Sequence, residues 1–76
     1  MNKTRRNAIE KIIEKIEYIK EDIDAVLDEE QECFDNLPEG FQESERGYSM
    51  QEAIDNIEEA INGLEEVVDN LNEAII

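Results

Sequence analysis

The chain has 76 residues, 22 of them acidic and 7 basic, with no histidine, one cysteine and a formal net charge of −15. A chain of this length buries only about 60% of its unfolded surface, so it makes a single small domain that needs a staple or a partner. A disulfide within the chain is excluded by the lone Cys33, a zinc site lacks ligands, and a conventional nucleic-acid-binding surface lacks the clustered Lys and Arg that phosphate contacts require.

The first element is read from its apolar spacing. Ile9, Ile12, Ile16, Ile19, Ile23 and Val26 alternate by three and four residues, meet Glu30, and resume at Cys33 and Leu37. This is a heptad stripe on a helix, with Ile9 at an a position and Ile12 at d. Ile13, Leu27 and Phe34 recur at e, where Lys20 takes the remaining slot. The apolar face is thus three positions wide and suits a bundle better than a thin seam. The spacing predicts a helix over about 4–36, with Cys33 as a small core residue and Glu30 setting register. Lys3, Arg5 and Arg6 are followed by Glu10, Lys11, Glu14 and Lys15, so the start does not read as a signal peptide. Its basic amphipathic face is too diluted by Glu10, Glu14 and Glu17 for a membrane surface.

Residues 37–43 read as the connector. Pro38 lacks a backbone donor and biases Leu37 away from helix, and Leu37-Pro38-Glu39-Gly40 fits a type I turn with Pro second. Phe41 reads as the cap on the end of the core. Arg46, the only basic residue after Lys20, reads as an ion-pair partner for nearby carboxylates. The alternative is a small-ligand site near the connector, made from Phe41, Ser44, Arg46 and Tyr48, with Arg46 holding an anion and an aromatic ring stacking on it.

The second helix, over about 44–75, repeats its pattern without a miss. Met50, Ile54, Ile57, Ile61, Leu64, Val68, Leu71 and Ile75 alternate by four and three, with Ala53, Ala60, Val67 and Ala74 on the g flank. Ser49-Met-Gln-Glu52 has capping-box form, whereas Ser44 gives a helix as long as the first; both starts stay open.

Charge distribution fixes the pairing direction. Residues 1–20 carry six basic and three acidic side chains, a net of +3, while residues 21–76 carry nineteen acids and Arg46, a net of −18. A basic helix start and an acidic helix end each oppose their own macrodipole. An antiparallel hairpin lays Lys3 to Lys20 beside Glu58, Glu59, Glu65, Glu66, Asp69 and Glu73 and relieves both. Two helices cannot cover two faces of this width, so the expected fold is an all-α, coiled-coil-like two-helix hairpin that self-associates into a four-helix or larger bundle.

Without histidine there is no triad, imidazole base or Glu-x-x-His metal signature, so no catalytic, cofactor or metal residues are assigned and an enzyme is not expected. Asp22-Ile-Asp24-Ala-Val-Leu-Asp28 lacks the glycine of a calcium loop and reads as a helix face. The acidic surface carries the leading functional expectation. A 33-residue helix is about 50 Å long, and two paired hairpins would approach the one charge per ~1.7 Å of duplex DNA. Asp55, Glu58, Glu59, Glu65, Glu66 and Asp69 are the candidate partner-binding residues of an acidic binding protein that occupies a basic protein surface by nucleic-acid mimicry. A ligand-sequestering oligomer and a purely structural assembly module are the alternatives.

The run Asn36-Leu-Pro-Glu-Gly-Phe-Gln-Glu-Ser-Glu-Arg-Gly47, followed by Met50-Gln-Glu-Ala-Ile-Asp-Asn and repeated Leu-Glu-Glu units, resembles short acidic helical proteins of Gram-positive bacteria and their phages or other mobile elements. The resemblance transfers no activity or site residue. It implies a cytoplasmic accessory protein that acts by binding. The wide apolar faces and the acidic surface are what point to the partners, a second copy and a basic host protein, with no direct nucleic acid and no membrane.

Overall fold

The computed structural model describes residues 1–76 and consists of two helices, α1 (Lys3–Asp35) and α2 (Glu45–Ala74), packed against each other as a hairpin. Asn2 caps α1, its side chain accepting from the Arg5 backbone N–H at 2.9 Å, and Asn36 closes it by donating to Glu32 O at 3.0 Å. Both helices end five residues from Gly40, so residue i on α1 lies level with a residue near 80 − i on α2.

The turn sits one residue later than the Pro-second reading. The Phe41 N–H donates to Pro38 O at 3.0 Å, which puts Pro38 first and Gly40 third. Gly40 has φ of 90°, and a positive φ at the third place is the type II signature that glycine satisfies without strain. Gln42 then donates its side-chain N–H to Phe34 O at 3.2 Å, tying the connector to the end of α1.

Ser44, not Ser49, caps α2. Its hydroxyl donates to Phe41 O and accepts from the Gly47 N–H at 3.3 Å. This early start depends on Gly47, which is buried: a Cβ there would lie 2.2 Å from Gln42 O and 2.6 Å from Phe41 O. The absence of that carbon lets the first turn of α2 rest directly on the connector backbone. Ser44→Ala is expected to lower stability by about 1 kcal/mol through the lost cap, read as a lower urea midpoint at unchanged slope; an unchanged midpoint contradicts it.

The seam is not the a/d stripe on both sides. On α2 it is, with Ile54, Ile61 and Val68 buried at a and Met50, Ile57, Leu64 and Leu71 half-buried at d. On α1 the half-buried positions are Ile9, Ile16, Ile23 and Glu30 at a, Ile13, Lys20, Leu27 and Phe34 at e, and Gln31 at b. The d row is left outside: Ile12, Ile19 and Val26 are 45%, 49% and 54% exposed, and Cys33 is exposed. Cys33 is therefore a surface thiol rather than a core residue. Phe41, at 54% exposed, does not cap the core either; the half-buried Phe34 and Leu37 and the buried Gly47 close that end.

The α1 d row and the α2 g row lie about 80–90° from the centre of the seam in the same angular sense. Because the helices run antiparallel, equal angular offsets fall on the same side of the hairpin. One broad side thus carries an apolar strip, Ile12, Ile19 and Val26 beside the exposed Ala60, Val67 and Ala74, bordered on α1 by the g row of Lys15, Asp22 and Glu29. The Lys20 ion pairs mark the opposite side.

Candidate functional site: the acidic side of the hairpin

On α2 the acids occupy only three of the seven heptad positions. Asp55 and Asp69 lie at b, Glu58 and Glu65 at e, and Glu59 and Glu66 at f, and all six are exposed. Helical spacing gathers them into one strip running along the outer and lower surface of α2, away from the apolar side. On α1 the adjoining b row adds Glu10, Glu17 and Asp24, also exposed.

Neutralisation within this strip is sparse. Lys20, whose side chain is 16% exposed, runs its stem along the seam and brings its ammonium 3.6 Å from both Glu17 and Glu65. No other acid has a basic group within ion-pair distance. The expected ladder from Lys3 to Lys20 against Glu58, Glu59, Glu65, Glu66, Asp69 and Glu73 thus reduces to one cross-helix bridge, because the remaining bases project outward into solvent. With Glu65 half exposed, that bridge contributes roughly 0–1 kcal/mol. Its effect is on register more than on stability.

The connector residues do not converge on a pocket. Ser44 is occupied as the α2 cap, Phe41 and Tyr48 are 54% and 64% exposed, and Arg46 is exposed with no carboxylate in ion-pair range. The nearby cleft, about 570 Å³, is lined by Leu37, Glu39, Gly40, Gln42 and Glu43 and includes none of the four. A second, similar groove along α1 is lined by Asn7, Glu10, Lys11 and Glu14. No three metal-ligating side chains come together, and no helix is long and apolar enough to cross a membrane.

Gly47 is the residue that sequence reading passed over. The spacing Ser44-Glu-Arg-Gly47 held the signal: a serine cap whose acceptor bonds the third helical N–H, with glycine at that third position. Comparison with protein-family models, with curated proteins and with solved structures returned no significant match.

Proposed function

We propose that this protein is a non-enzymatic, self-associating helical hairpin whose acidic side binds a basic protein surface, in the manner of a nucleic-acid mimic. The observation that carries the reading is the bias of charge on α2: its nine acids all lie on the b, e and f rows, exposed and almost wholly unpaired, while its c and g rows hold Arg46 as their only charge. A solvated surface needs charge only for solubility and has no reason to confine it. A net charge of −15 over a 58 Å length is about one charge per 4 Å, and two copies side by side give about one per 2 Å, near the 1.7 Å of duplex DNA. The apolar side supplies the reason to pair.

The test is displacement of duplex DNA from a basic DNA-binding protein, followed across a salt series. Binding should weaken steeply with salt. Replacing Glu58, Glu59, Glu65 and Glu66 together by Gln should flatten the slope of log K against log salt by about 3–4. Affinity that ignores salt, or an unchanged slope in the fourfold variant, rejects the reading.

A further inference from the structure

The hairpin exposes more surface than a compact monomer of its mass, and its charge is divided unevenly along its length; together these point to the occupant of the apolar side. Folded monomers of this mass, 8.8 kDa, expose about 4,800 Å², whereas the hairpin exposes 5848 Å². The surplus of about 1,000 Å² is close to the roughly 800 Å² that each partner contributes to a standard interface. The 58 × 15 Å outline of the molecule can present a patch of that size.

Charge is divided along the length as well as between the sides. The half of the hairpin away from the connector, residues 1–20 and 60–76, carries seven acids and six bases. The connector half, residues 21–59, carries fifteen acids and Arg46, a net of −14. Two copies stacked with their connectors together would concentrate twice that charge at one end. Turned end for end, each copy's −14 half lies against its partner's nearly neutral half. In that arrangement α1 packs on the partner's α1, so the +3 segment 1–20 meets the partner's segment 21–35, which holds eight acids and no base.

The α2 helices also meet each other in this arrangement, and both are acidic. They meet through the g row of Ala53, Ala60, Val67 and Ala74, and beside it lies the c row of Asn56, Gly63 and Asn70, uncharged and exposed. Apart from Arg46 at the connector end of the g row, the two rows that face a like-charged helix carry no charge. Their small side chains allow close approach, while Ile12, Ile19 and Val26 fill the wider gap between the α1 helices.

We infer that the apolar side is covered by a second copy of this chain in a two-fold, end-for-end dimer, with α1 on α1, α2 on α2 and the connectors at opposite ends. The dimer is centred near Ile19 and Ala60, the middle of the two rows. This inference rests on the self-association proposed above and adds the face and the direction.

Cys33, the only cysteine, lies at one end of the α1 row and serves as a native label position. With the two-fold near Ile19, the two Cys33 sites lie about 40 Å apart in the end-for-end dimer. With connectors together they fall within about 20 Å. Spin labels on Cys33, read by pulsed dipolar spectroscopy, should report the long distance, and sedimentation should show a dimer at micromolar concentration. Ile19→Glu should raise the dimer dissociation constant by more than about 100-fold, since a charge would be buried in each copy. Tyr18→Glu, one residue away but off the face, should leave it unchanged. A dimer with a short distance, or one indifferent to Ile19→Glu, overturns the arrangement while leaving self-association standing. A wild-type monomer overturns both. If Ile19→Glu fails to fold, the wild-type distance decides.

Discussion

Ile54→Ala should be the most damaging single truncation, lowering the unfolding free energy by about 2–5 kcal/mol. Ile54 is the most enclosed side chain of the molecule, 1% exposed, and one of only three buried apolar residues, with Ile61 and Val68. It sits in the connector-proximal part of the seam, where Leu27 on α1 is level with it, and a cavity there has no neighbouring layer of core to collapse inward. In a domain of this size each kcal/mol shifts the melting temperature by about 4–8 °C, so a fall of 10 °C or more is expected at fixed protein concentration. Concentration must be held because the self-association proposed above would add stability by mass action. A shift under about 3 °C would show that the hairpin core is not where the stability lies.

Gly47→Ala and Gly63→Ala should act in opposite directions although both residues lie within α2. By helix propensity alone, each replacement is worth about 1 kcal/mol of stabilisation. Gly63 faces open space, with nothing within 4 Å of an added Cβ, and should show that gain. At Gly47 the same carbon would press to 2.2 Å on Gln42 O. The obstacle is backbone, which cannot rotate aside, so α2 must lift from the connector at a cost of about 1–3 kcal/mol. Urea midpoints measured side by side would settle the signs. Stabilisation by Gly47→Ala would mean that the connector does not rest on α2 as described.

The two glycines also mark how far the sequence can be read. Gly63 was legible, because its heptad position alone puts it outside the seam. Gly47 was not, because its constraint is a contact with a carbonyl five residues away, and no periodicity encodes that. Ser44 and Ser49 were indistinguishable for the same reason. Each has capping chemistry, and the choice follows from whether the chain can re-enter a helix directly after the turn, which Gly47 permits. The turn moved by one residue because Gly40 can take φ of 90°, and that conformation outweighs the preference of Pro38 for the second place.

The acidic strip was legible residue by residue. Asp55, Glu58, Glu59, Glu65, Glu66 and Asp69 are all exposed, because a strict heptad fixes which positions cannot face the seam. In the connector group of Phe41, Ser44, Arg46 and Tyr48, backbone and cap hydrogen bonds link Phe41, Ser44 and Tyr48, but the four line no common pocket. Once Ser44 caps the helix, Arg46 and Tyr48 follow the helical rotation outward.

The sequence by itself determined two helices, their approximate ends, their antiparallel direction and the side of α2 that carries charge. Periodicity of 3.5 residues, a proline and a charge gradient are local or additive properties, and each can be counted along a chain. Only the tertiary structure decided that α1 presents its a and e rows to the seam and leaves Ile12, Ile19, Val26 and Cys33 outside. An apolar face three rows wide admits more than one two-row seam, and the rotation of one helix against the other is set by packing at both ends at once. The connector held against Phe34 and Gly47 fixes one end, and Lys20 reaching Glu65 fixes the other half. That rotation is what gathers the leftover apolar rows of both helices onto one side, bordered by Lys15, Asp22 and Glu29 of α1, and leaves the carboxylates of α2 to the other.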